Sequence, residues 1–152
     1  MNKFIFKLQG VLDIRRDLEE QAKAEFGLAQ AELVAEEKKL EAIIARKEAQ
    51  ILELKELMSS NLNVKKINLT KEGVEVLKEM EKEQALVVSR VETKVELARR
   101  KLQKAILERK TIEKLREKQL EEYKVMYEAE EQKINDEMSS YSYSEKQKTP
   151  KA

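Results

Sequence analysis

The stretch MSSNLNVKKINLTKEG, residues 58–73, decides how this chain folds. Short polar side chains crowd into it: Ser59, Ser60, Asn61, Asn63 and Asn68 compete for their own backbone and so favour turns and caps over helix interiors. No clear apolar face runs through the segment. Thr70 is a suitable N-cap for whatever follows, with Glu72 and Glu75 near the positive end of a helix dipole. A turn over residues 59–72 would divide the chain into two arms.

Both arms carry a helical repeat. In the first, positions three and four apart recur from Ile5 through Leu8, Leu12, Arg15, Glu19, Ala22, Phe26 and Ala29, then Leu33, Glu36, Leu40, Ile43, Lys47, Gln50, Leu54 and Leu57. A mean spacing of 3.5 residues keeps one seam facing a partner along the whole helix. Val11 and Leu18 widen the apolar face near its start, while Arg15, Glu19, Glu36, Lys47 and Gln50 weaken the seam. In the second arm the series runs Leu77, Glu81, Gln84, Val88, Val91, Val95, Ala98, Leu102, Ala105, Arg109, Ile112, Arg116, Gln119, Tyr123 and Met126.

The expected fold is therefore all-α: two long helices, about 4–58 and about 73–138, closed as an antiparallel coiled-coil hairpin. A hairpin centred on residue 66 pairs positions whose numbers sum to about 132, setting Phe26 near Ala105 and Ala29 near Leu102. From Ser139 onward the sequence loses its periodic face, and residues 139–152 are expected to be a disordered tail. The competing architecture is a parallel dimer of one unbroken helix, which would carry the Ser/Asn segment through its rod.

Composition narrows the function. Ala, Glu, Lys, Leu and Arg make up well over half of the 152 residues, the signature of long helices and coiled coils. Charged residues reach 40% and aromatics 5%, so the buried surface must be a narrow stripe and no deep pocket is expected. Against 31 basic residues stand 30 acidic ones, interleaved, which argues against nucleic acid as a partner. Histidine and cysteine are both absent, removing the usual acid–base, metal-ligating and thiol chemistry. The three glycines Gly10, Gly27 and Gly73 compose no phosphate-binding loop. The expectation is a cytoplasmic, non-enzymatic protein without cofactor or metal that acts by binding other proteins.

Several residues stand where a known family would place them. Phe4, Phe6, Leu8, Val11 and Leu12, followed by Arg15 and Arg16, resemble the start of the FliJ-type flagellar export proteins, coiled-coil components of the type III export ATPase complex. Leu28, Ala29, Ala31 and Leu33 are similar to the family's first-helix segment. The run Glu113-Lys114-Leu115-Arg116-Glu117-Lys118, then Tyr123, then Asp136-Glu137, resembles its C-terminal signature. This resemblance implies a hairpin inserted in the central hole of a hexameric export ATPase and touching the cytoplasmic domain of the membrane export gate, peripheral to the inner face of the membrane through these partners. Escort of export chaperones is implied as well. Carried over position by position, Phe4, Leu8, Leu12, Arg15, Arg16, Leu115, Arg116 and Tyr123 would meet the ATPase at the paired helix ends. Leu77 is the nearest match for the gate contact, in a middle segment that lacks the family's aromatic residues. The alternative is a stalk or stator coiled coil of a rotary ATPase, or a structural spacer.

Overall fold

The computed structural model describes residues 3–60 and 63–148. It is an all-α helical hairpin of two helices, α1 (Gln9–Ser60) and α2 (Val64–Lys148). Contacts group the chain into two units: Met1–Asp17 with Ile106–Ala152, and Leu18–Ala105.

Within Leu18–Ala105 the two helices run antiparallel. Going up α1 and down α2, Glu25 meets Lys101, Glu32 meets Lys94, Glu36 meets Gln84 and Lys47 meets Glu81. Ala22, Ala29, Val74, Leu77, Val88, Val91 and Val95 are buried between them. These positions follow the three-and-four spacing, because only residues repeating near the helical period stay on one face.

Several polar members of the seam find partners, whereas the buried Gln50 Oε1 accepts no hydrogen bond. Lys47 Nζ lies 2.6 Å from Glu81 Oε2. Gln84 Nε2 donates to the Glu36 carboxylate at 2.6 Å and to the Glu36 backbone carbonyl at 3.0 Å. Glu19 is buried, with Lys23 Nζ 3.9 Å from its carboxylate. Gln50 packs its amide into the space left by Gly73: a Cβ there would stand 2.6 Å from Gln50 Oε1.

The reversal is tighter than the sequence suggests. Helix α1 continues to Ser60, whose hydroxyl donates to the Glu56 carbonyl, and α2 begins at Val64. Asn63 is the cap: its Oδ1 accepts the Lys66 backbone N–H at 3.3 Å. Thr70, expected to cap, instead sits inside α2 and returns its hydroxyl to the Lys66 carbonyl. Of the expected turn over 59–72, residues 59–60 therefore belong to α1 and 64–72 to α2, while Asn61 and Leu62 lie outside the described residues. With the chain reversing earlier, α2 shifts against α1 and paired numbers sum to about 126, as in Glu32 with Lys94 and Glu25 with Lys101. Phe26 accordingly packs under the Arg99 guanidinium, 5.9 Å from ring centroid to Cζ, instead of near Ala105.

The expected tail is corrected too. Helix α2 runs on through Lys148; Tyr141 donates to Glu145 and Gln147 to the Tyr143 hydroxyl, bonds between residues four apart that line up only on a helix. The rest of the expected tail, 149–152, lies outside the described residues. On the exposed faces, ion pairs three and four residues apart form at Glu75–Lys78 and Glu96–Arg100.

Two outcomes follow from this packing. Glu32→Cys with Lys94→Cys, in a chain otherwise free of cysteine, should give an intrachain link with a short bismaleimide, whereas an unbroken parallel dimer would give only interchain products on a denaturing gel. Gly27 is helical and exposed with nothing beyond its own helix backbone within 4 Å of an added Cβ, so Gly27→Ala should stabilise by about 0.5–1 kcal/mol, read as a rise of roughly 1–4 °C in the thermal midpoint.

Candidate partner-binding site

The unit formed by Met1–Asp17 and Ile106–Ala152 gathers most of the residues that the sequence marks for binding. Ahead of α1, the chain makes one turn, with Gln9 N–H donating to the Phe6 carbonyl and Leu12 N–H to that of Leu8. This turn swings Phe4 and Phe6 against α2. Phe6 is buried, and the Phe4 ring lies 5.6 Å from that of Tyr123 at a tilt of 48°. Arg116 sets its guanidinium over the Phe4 ring, 5.8 Å from the centroid, while its Nε donates to Gln9 Oε1.

Charge pairs continue the same contact. Arg15 donates to Glu108 at 2.7 Å and Arg16 to Glu113 at 3.4 Å; Arg109 holds the second oxygen of Glu113 at 2.7 Å. Glu113 therefore pairs with both Arg109 and Arg16. Partial burial pushes the Glu113 carboxyl upward, yet the two guanidiniums outweigh it and hold the carboxyl below its ordinary value. Glu36, in the other unit, is lowered by the Gln84 hydrogen bond and then by Lys39. Tyr127 is raised through its hydrogen bond to Glu131, so its hydroxyl keeps its proton.

The structure thus brings together Phe4, Arg15, Arg16, Arg116 and Tyr123 within one unit, each in a direct contact between the N-terminal segment and α2. Leu115 is half-buried beside them and Leu8 lies at the margin, 36% exposed. Leu12 has no exposed surface and serves packing. Leu77 lies in the other unit and is 3% exposed, facing the seam, so the side chain open to a partner at that level is its neighbour Val76. Ile5, the first member of the predicted seam, points to solvent. Sequence reasoning passes over Ile14, which is 60% exposed.

Among the described residues, no group of three or more carboxylates could hold a metal ion, and no helix is long and apolar enough to cross a membrane. A shallow groove of about 410 Å³ in the Leu18–Ala105 unit is floored by Ala29 and Ala98, walled by Leu28 and Leu97, and edged by the Glu25–Lys101 and Glu32–Lys94 pairs. What these surfaces offer is contact area.

The sequence matches the family model described as flagellar FliJ protein over residues 4–148. Among solved structures, one described as a YscO homolog, CT670 from Chlamydia trachomatis, is similar in fold, with a TM-score of 0.59 and 24% identity over 97% of this chain and 100% of that one. Among curated proteins no match is found.

Because the Glu113 carboxyl binds its proton more weakly folded than unfolded, its contribution to stability is complete above the ordinary value of 4.5 and disappears as pH falls through the lowered folded value. Denaturant titrations of wild type and Glu113→Gln should show a wild-type advantage at neutral pH that shrinks toward zero in acid.

Proposed function

This chain belongs to the flagellar FliJ protein family, and from that premise we propose that it is a non-enzymatic part of the export machinery that binds a hexameric export ATPase and couples it to the export gate. The type III export assignment follows from the family; the partners are our reading. Supporting it is the unit of Met1–Asp17 and Ile106–Ala152, where the start of the chain meets α2 through Phe4, Tyr123, Arg116 and the Arg15–Glu108 pair. The N-terminal segment and the facing stretch of α2, locked by aromatic and ionic contacts, present one composite surface, with Arg16 half-exposed and Ile5 and Ile14 open to solvent. Such a mixture of aromatic, arginine and apolar groups is typical of binding hot spots.

In this reading Phe4, Leu8, Arg15, Arg16, Leu115, Arg116 and Tyr123 form or support the ATPase surface, and Leu12 holds the two helices together beneath it. The cytoplasmic domain of the gate would be met in the middle of the chain, where Val76 is exposed beside the buried Leu77. Export chaperones are further partners on the family premise. The protein would then sit in the cytoplasm, held at the inner face of the membrane through these proteins alone.

The purified chain should co-purify with the hexameric ATPase and raise its assembly or hydrolysis rate. Arg16→Ala and Ile14→Asp should weaken that association at least about tenfold with an unchanged circular dichroism spectrum, since both side chains are substantially exposed. An ATPase whose activity and assembly ignore the added chain would overturn the reading.

A further inference from the structure

Helix α2 is half-finished as a coiled-coil strand. Ile106, Glu113 and Leu120 recur every seven residues along the edge of its contact with the N-terminal segment, and all three are half-buried. The same interval continues through Tyr127, Ile134 and Tyr141, but each residue over 124–147 is exposed. Met138 joins this stripe at the four-residue step from Ile134. Tyr127, Ile134, Met138 and Tyr141 are 38%, 49%, 65% and 66% exposed. The seven-residue repeat of an established helix contact, apolar at Ile106 and Leu120, thus continues through apolar residues that no described residue covers.

Charge around the stripe selects its occupant. The positions flanking it on the two sides are Glu128, Glu130 and Glu137, with Asn135, Ser142 and Ser144; none is basic. Glu131 and Glu145 fall on the stripe itself, each bonded to the tyrosine one turn before it. A second copy fits poorly: paired in parallel it would set Glu131 against Glu131, and antiparallel it would set Glu130 opposite Glu137. Like charges so placed are destabilising. A helix with its own three-and-four apolar stripe and lysine or arginine at the flanks meets neither obstacle. It also supplies a cation to each flanking carboxylate.

We propose that α2 from Tyr127 to Tyr141 docks a single basic-flanked amphipathic helix of another protein, which continues the coiled coil along the stripe of Tyr127, Ile134, Met138 and Tyr141. This surface lies beyond the residues assigned above to the ATPase and does not depend on that assignment.

The test uses the full chain and two labelled synthetic peptides of four heptads. Both have isoleucine and leucine at the seam positions; one carries lysine at every flank and the other glutamate. Fluorescence anisotropy should show the lysine peptide binding at least about tenfold more tightly than the glutamate peptide. Ile134→Asp with Met138→Asp should lower its affinity at least about tenfold, while Leu28→Asp, an exposed apolar change in the other unit, should leave it unchanged. Glu130→Lys with Glu137→Lys should shift preference to the glutamate peptide. Equal binding of both peptides, or insensitivity to the Ile134 and Met138 changes, would overturn the proposal. So would a wild-type dimer in sedimentation equilibrium that Ile134→Asp dissolves, since that would assign the stripe to a second copy.

Discussion

The fold depends on polar contacts placed within an otherwise greasy seam. Leucine, valine and alanine provide the drive for the helices to pair, but they discriminate weakly between registers, since sliding by one heptad returns apolar residues to apolar neighbours. The Lys47–Glu81 pair and the Gln84–Glu36 bonds remove that freedom. Slide α2 by seven residues and each carboxylate faces a group that cannot pair with it, half-buried, at a cost that exceeds the small net worth of the pair itself. The polar seam residues therefore contribute less as stabilisers than as markers of one alignment.

In each unit that alignment is expressed through different chemistry. Between Leu18 and Ala105 the dry part of the seam is built from Val88, Val91 and Val95 with Ala22 and Ala29, small and β-branched side chains that allow close packing. In the unit of the chain ends, a buried Leu12 and Phe6 are ringed by Phe4, Tyr123 and four arginines engaged with glutamates, Gln9 or an aromatic face. A surface of that composition costs little to keep soluble and still holds aromatic and guanidinium groups ready for contact. Local chemistry, read with family membership, makes this unit our choice for the binding end of the molecule.

Much of the fold was legible from residue spacing. Every member of the first series from Leu12 to Leu57 is buried or half-buried, as is every member of the second from Leu77 to Tyr123. What spacing could not fix was where the chain turns. Asn63 and Thr70 are both good caps, and the choice between them depends on which placement lets Gly73 receive Gln50 and Glu81 reach Lys47, contacts remote in sequence. Leu77 shows a related limit: its place in the repeat identified it as apolar and regular, which is why it is buried while its neighbour Val76 is exposed. The serine- and tyrosine-rich end misled for another reason. It has no continuous apolar face, but helix continuation needs none when side chains four apart bond each other.

The continuation matters for how the end of α2 could work. An isolated helix of such length is marginal in water because the first turn is costly to nucleate. Here nucleation has already occurred: residues beyond Tyr123 extend a helix anchored by Phe4, Arg116 and the Glu113 cluster, so each further turn adds only propagation. A partner helix that meets a strand already formed need not supply the ordering free energy of a disordered segment, and more of its contact energy remains as affinity. Removing the anchor at Phe4 or Arg116 would therefore weaken a docking site further along the same helix without touching it, by returning the cost of helix formation to the binding step.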